Sequence, residues 1–507
     1  MTHALDDRAL RTVPWLAAAA TFLFHLVANP HYGFFRDELY FIICGFHPDW
    51  GYVDQPPLVP LMSAATQLFG HSLVLLRAVP ALFAAAAAFT TCRLVTEFGG
   101  RVFAQSLAAV VVLFTGVSAA FGGKVGTDEV GLWTWPLIAL ILVRLSKGVD
   151  PRWWLAAGVA AGVSLESKYS VIFFLAAILA GLLLTPARRV LFTRWFALGC
   201  AVAVLIALPN FVWQWQHGFP MLELLQNGQN GKNIIVSPLF FLVQEIVITT
   251  PILVPVWMIG LGWLLRTADF RFLGYAYVIL IAEMIVLHGK HYYPAAVYPI
   301  LIAAGAVPLE AWTRRLRIAR AAMVAYAVVF GLAFVPFALP VLPEDTFVAY
   351  EAKLNALLHL RGALATEHER ETSKLPGDWA DMHGWPELAA TVKGVYDGLP
   401  PQERAQAVVF ADNYGSAAAI EFFTPDVPVI SIHNQYWVWG TKGYNGNVLV
   451  QVGGSCFAKQ HLFASRTVVT TFNSRWGIGW EQHLPIAICR GIRTPLAEVW
   501  KTVHAFE

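Results

Sequence analysis

Charged side chains are scarce in this chain. Asp, Glu, Lys and Arg make up 13% of its 507 residues, and 57% are hydrophobic. Soluble globular chains carry about 25% charged and about 45–50% apolar residues. That shortage excludes an ordinary soluble fold and points to a membrane. The formal net charge is only +2. No basic face is visible, so nucleic acid drops out as a partner. Cysteine is scarce too, with five in all. There is no CxxC pair and no His/Cys cluster, which removes structural zinc. Cys44, Cys92 and Cys200 fall in or near apolar runs, whereas Cys456 and Cys489 fall near the C-terminus. A disulfide between those two is permitted in an oxidising compartment. No Gly-rich nucleotide fingerprint follows a strand in the apolar part, and the helical runs show no repeat.

Long apolar runs are what the chain has instead. A spanning helix needs about 20 mostly apolar residues. Eleven runs qualify as spans, near 12–30, 73–92, 102–121, 128–146, 153–166, 170–186, 194–213, 237–264, 272–288, 294–311 and 319–341. Those at 153–166 and 170–186 are short enough to be broken or re-entrant. The first run has no small-residue cleavage site and reads as an uncleaved anchor. Basic residues fall mainly on alternate connections: Arg8, Arg11, Arg93, Arg101, Arg144, Lys147, Arg152, Arg188, Arg189, Arg194, Arg266, Arg271, Arg314, Arg315, Arg317 and Arg320. The opposite connections hold Arg36, Lys124, Lys168, Lys232 and Lys290, with Arg77 near a membrane entry. This bias predicts a cytoplasmic N-terminus. With eleven spans the C-terminal region lies outside. Residues 1–344 are thus expected to form the membrane domain, with a first outside loop at 31–72. Residues 345–507 then form an extracytoplasmic α/β domain, since "AVVFADN", "VPVISIH", "VLVQVGG" and "TVVTTF" read as strands, with helical "ELAATVKGVYDGL" and "GSAAAIEFF" between them.

Ionisable groups near the membrane are costly and usually face a cavity or a partner. They gather in the predicted outside connections. "YGFFRDELY" holds Arg36, Asp37 and Glu38; "WGYVDQPPL" holds Asp54 and Gln55; "FGGKVGTDEVGLW" holds Lys124, Asp128 and Glu129. "LESKYS" adds Glu166, Lys168 and Tyr169; "LPNFVWQWQHGFP" adds Gln214, Gln216 and His217; "QNGQNGKNI" adds Lys232; "LHGKHYYP" adds Lys290, His291, Tyr292 and Tyr293. Each has a plain structural reading. Trp and Tyr anchor helices at the interface, and Arg36 with Asp37 can be a surface ion pair. Thr127, Asp128 and Glu129 can cap a helix and complement its dipole. The functional reading rests on their coincidence at one predicted face. In the C-terminal domain, Asn413, Tyr414, His433 and Asn434 are of types that touch sugars, but such residues more often serve turns and packing.

"RDELYFIICGFHPDWGYVDQPPLVPLM", followed in order by "GTDEVGLWTW", "ESKYS", "LPNFVWQWQHGFP", "GKHYYPAAVYPILIAAGA" and "WVWG", resembles bacterial polyprenyl-phosphate-sugar glycosyltransferases of the GT-C fold. These belong to glycosyltransferase family 39, beside protein O-mannosyltransferases and the lipid A aminoarabinose transferase. The resemblance implies an inverting transferase in a bacterial inner or plasma membrane. Its donor would be a sugar on a polyprenyl phosphate. Its acceptor would be a hydroxyl of a glycolipid, polysaccharide or protein. It also implies an acidic base in the first outside loop, Asp37 or Glu38, with Asp37 preferred. A second acid is expected at the fourth helix, Asp128 or Glu129.

The chemistry fits these residue types independently. A leaving phosphate gains charge in the transition state, and fixed cations stabilise it. Lys168, Lys290, Arg36 and Lys232 are the candidates, the first two favoured by the resemblance. A carboxylate takes the proton of the attacking hydroxyl. Asp54, Gln55, Glu129, Tyr169, Gln216, His217, His291, Tyr292 and Tyr293 are candidates to contact sugar or acceptor. The acids are compatible with Mg²⁺ or Mn²⁺, but the cations can neutralise phosphate unaided, so no obligatory metal is expected. A transporter or flippase is the main alternative, disfavoured by the lack of paired repeats. A membrane-anchored assembly protein and a lipid-linked oligosaccharide transferase are the others.

Overall fold

A computed structural model describes residues 2–358, 373–454 and 462–506, without the side chains of 2–6, 231, 232 and 358. The chain divides into two compact units. One comprises Met1–His31, Val74–Phe211 and Ile235–Leu342; the other comprises Tyr32–Leu73, Val212–Ile234 and Pro343–Glu507.

The first unit is helical. Among the described residues six helices are long and apolar enough to cross a membrane: Asp7–Ala28, Leu73–Glu97, Glu129–Ser146, Arg194–Gln216, Ala295–Trp312 and Arg317–Ala338. The number reaches eight if each of two bent pairs is one span. The other segments of the eleven-span reading are helices of 13, 13 and 16 residues, at Trp153–Leu165, Val171–Leu183 and Arg271–Val286. These are shorter than a straight crossing needs.

Two runs that read as single helices are broken. Val102–Phe114 and Gly116–Gly123 meet at 65°, and Pro238–Ile248 meets Pro251–Arg266 at 88°. A break in an apolar environment strands backbone polar groups, which must find partners inside the protein. Thr250 supplies them. Its Oγ1 accepts from Gly116 N (2.9 Å) and donates to Phe114 O (3.0 Å). One break therefore satisfies the other. Elsewhere, small residues let helices approach closely. A Cβ on Gly260 would run into the backbone of Leu301 and Gly305, and one on Gly305 into that of Val256 and Gly260.

The second unit carries a five-stranded sheet. Its strands are β1 (Ala407–Ala411), β2 (Val429–Ile430), β3 (Val448–Val452), β4 (Phe463–Phe472) and β5 (Leu484–Ile492). The order is β2-β1-β3-β5-β4. β1 runs parallel to β2 and β3, while β5 runs antiparallel to β3 and β4. β1 and β3 are buried at every position, as uninterrupted Val-rich runs should be. Val408, Phe410, Ile430, Leu449, Leu496 and Trp500 form the core beside them. Cys489 on β5 is disulfide-bonded, Cys44, Cys92 and Cys200 are free, and Cys456 lies outside the described residues.

The first loop also belongs to this unit. Leu58–Thr66 is a helix, with Pro57 at its N-cap. Arg36–Phe46 is a further helix that the sequence reading left as loop. It packs against the helix Tyr414–Phe423, and Phe34 closes one end against Phe422 (centroids 5.2 Å).

Candidate functional site

In the second unit the candidate acids lie on the first turn of Arg36–Phe46, where the helix dipole favours anions. Glu38 is fully buried, and its Oε2 accepts from Phe35 N at 2.8 Å. That carboxylate caps the helix. Asp37 is 31% exposed. Its Oδ1 accepts from the Tyr414 hydroxyl at 2.7 Å and lies 3.5 Å from Arg36 Nε. Among the described residues no hydrogen bond reaches Oδ2. Arg36 is buried between the rings of Tyr414 and Trp480, each 5.0 Å away, and lies 3.9 Å from Asp381.

Asp54 sits close by. Tyr40, one turn along the same helix from Asp37, donates to Asp54 Oδ1 at 3.0 Å, and Asn434 reaches Oδ2 at 3.4 Å. Gln435 N donates to the Tyr40 oxygen in turn (3.1 Å). Burial pushes the Asp54 carboxyl up to about 7; the charge of Asp37 adds to this, and donation from Tyr40 opposes it. Gln55 is buried, with its side chain beside the Cys44 thiol.

The segment 212–234 adds less than its motif implied. His217 stacks on Trp213 (4.0 Å), and Trp213 donates to Asp49 (2.8 Å). Gln214 donates to Tyr52 O (2.9 Å), bracing the first loop. Gln216 is exposed. The side chain of Lys232 lies outside the described residues.

In the first unit a second cluster forms. Lys168 Nζ meets both Asp128 oxygens, at 2.8 and 2.7 Å. The rings of Tyr292 and Tyr293 lie 5.0 and 4.8 Å from the same ammonium. Asp128 occupies the N-cap of Glu129–Ser146 without capping it through its side chain, so the expected cap at Thr127 is displaced by one residue. Glu129 is buried, and its Oε2 accepts from Gly126 N (3.1 Å). Tyr169 donates to Asn210 (2.5 Å). Lys290 is half-buried. His291 is buried, which pulls it down to about 4, with Lys290 adding to the effect. Both effects favour the neutral ring over the cation. A small cavity lined by Asp128, Lys168, Ser164, Trp135 and Tyr293 adjoins this cluster.

The structure thus joins Asp37 with Arg36, and Lys168 with Asp128, Tyr292 and Tyr293. The sequence reading did not name Tyr40, and it left Tyr414 and Asn434 as turn or packing positions. Tyr40 had a signal, since it stands three residues after Asp37 on one helix face. Tyr414 and Asn434 had none, because only tertiary folding brings them to the first loop. No three His, Cys, Asp or Glu side chains group as a metal site among the described residues.

Residues 54–213 match the family described as dolichyl-phosphate-mannose-protein mannosyltransferase. The lipid A galacturonosyltransferase RgtD of Rhizobium johnstonii is 29% identical over 188 residues. That likeness spans 36% of this chain and only 39% of the relative's length. ArnT from Cupriavidus metallidurans, solved both bound to undecaprenyl phosphate and in the apo state, superposes with a TM-score of 0.61. The superposition covers 94% of this chain and 97% of ArnT at 15% identity, a likeness of fold. The family match is thus confined to residues 54–213, while over nearly its whole length the chain shares the fold of ArnT.

Proposed function

We propose that the protein transfers a sugar from a polyprenyl-phosphate donor to an acceptor hydroxyl, with inversion at the anomeric carbon and Asp37 as base. The observation that carries this reading is the Asp37 carboxylate. One oxygen is pinned by Tyr414, the other takes no described hydrogen bond, and the side chain is partly exposed. As the acceptor oxygen bonds to the anomeric carbon, its proton passes to Asp37 Oδ2. The anomeric carbon–oxygen bond breaks, and its electron pair leaves on the polyprenyl phosphate. The sugar carbon gains oxocarbenium character on the way.

Charge building on the phosphate needs fixed cations, a role assigned to Lys168, Lys290, Arg36 and Lys232. Lys168 is paired with Asp128 in this structure. On this reading Asp128 is a counter-ion that the donor phosphate displaces, rather than a second base. Gln55, buried in the first loop, is assigned to sugar or acceptor, with Asp54, Glu129, Tyr169, Gln216, His217, His291, Tyr292 and Tyr293. ArnT was solved with undecaprenyl phosphate, which supports such a carrier here. The relative RgtD is named for lipid A, so a glycolipid is the first acceptor to test, before polysaccharide and protein. No divalent metal is required on this reading. The N-terminus is placed in the cytoplasm and the C-terminal domain outside, at a bacterial inner or plasma membrane.

The test is a transfer assay in lipid nanodiscs with a panel of labelled polyprenyl-phosphate sugars and a lipid A acceptor. Wild type is expected to transfer or slowly hydrolyse one donor. Asp37→Asn should lower the rate at least about a hundredfold, as loss of a general base does, and chelation should leave the wild-type rate unchanged. A fully active Asp37→Asn protein sinks Asp37 as base. A wild type that turns over no donor sinks the transferase reading.

A further inference from the structure

We infer that Tyr414, on the C-terminal α/β domain, is the positioning residue for Asp37. The inference rests on the transferase reading above and gives that domain a part in the reaction.

The sheet places Tyr414. β1 lies between two parallel neighbours, β2 and β3, so its C-terminal end is a switch point, where open α/β sheets place their working groups. The chain leaves β1 through Asp412 and Asn413 and enters the helix Tyr414–Phe423. The Asn413 side chain accepts from Ser416 N at 2.9 Å, a standard N-cap that fixes the first turn. Tyr414, the first residue of that turn, is nearly fully buried, at 7% exposure. Its ring is held by Tyr40 (4.6 Å) and His433 (4.9 Å). Its hydroxyl donates to Asp37.

That bond settles which oxygen of Asp37 is available. A carboxylate on a short side chain turns about its last bond unless something holds it. Arg36 holds it weakly, at 3.5 Å, and is itself drawn towards Asp381 and two aromatic rings. The 2.7 Å bond from Tyr414 is the short contact to this carboxylate. It engages Oδ1 and leaves Oδ2 to face a hydroxyl. Gly415 completes the fit, since a Cβ there would collide with the Arg36 side chain.

Tyr414→Phe removes the hydroxyl and keeps the ring. It is expected to lower kcat about tenfold or more, the scale of a small misplacement of a reacting group. KM for the donor should stay within about twofold. In an Asp37→Asn background the same substitution should have no further effect on the residual rate. Melting midpoints provide a readout free of turnover: in a four-protein cycle the two losses should be less than additive. A Tyr414→Phe protein with wild-type kcat overturns the inference and leaves the transferase reading standing. So does strict additivity in both cycles, which would make Tyr414 a packing residue. A wild type without activity on any donor removes both.

Discussion

Asp37, Glu38 and Asp54 show how one loop gives three carboxylates different tasks. The difference lies in what each touches: a hydroxyl, a backbone amide, and a buried tyrosine. Sequence puts all three in one motif but has no means of separating them, because the partners of two come from residues 414 and 434. Asp54 carries a prediction of its own. Burial raises it from 3.8 to about 7 in the folded chain. The folded state therefore binds this proton more tightly than the unfolded one. Its contribution to stability is full below about pH 4 and is lost as pH rises through about 7. Asp412, pushed by burial to about 6, acts with the same sign. Thermal unfolding from pH 4 to 8 should show a smaller fall with rising pH in Asp54→Asn than in wild type. Identical profiles would refute the assignment.

At the scale of elements, hydropathy was a good guide to where helices lie and a poor one to their shape. The runs 102–121 and 237–264 are continuous in hydropathy, yet each contains a bend. Pro251 was a warning in the second; the first, at Thr115–Gly116, gave little. Strands β1 to β4 were legible as short β-branched runs. β5, "LPIAICRGI", was not, because Pro485, Arg490 and Gly491 interrupt its pattern. The helix Arg36–Phe46 was missed because its 11 residues are too short for periodicity to stand out. A single hydroxyl bridges the two bends. Thr250→Val should cost about 1–3 kcal/mol by stranding the amide of Gly116 and the carbonyl of Phe114. Thr250→Ser should recover most of it. Unfolding in detergent would measure both, and equal stability of Val and Ser variants would rule the brace out.

At the scale of the molecule, the sequence reading divided the chain once, near residue 344. The structure groups the first loop and residues 212–234 with the C-terminal sheet. No local pattern announces such a grouping, since the contacts that make it are separated by hundreds of residues. The strand carrying Cys489 is part of that unit, and the cysteine is disulfide-bonded. Reductant should therefore lower the melting midpoint of wild type but not of Cys489→Ser, a loss typical of about 2–4 kcal/mol for such a bond. A wild type indifferent to reductant would count against a stabilising role.

Tyr414 follows Asp37 by 377 positions in the chain. At the usual pace of synthesis, about 5–20 residues per second, the ribosome adds the tyrosine roughly 20 to 75 seconds after the aspartate. If Asp37 is the base and Tyr414 positions it, as proposed above, the nascent chain through that interval has the acid but not the group that aims it. On that proposal, a product cut short before the sheet would be inserted yet idle, and only copies that carry the sheet would draw on a lipid-linked sugar.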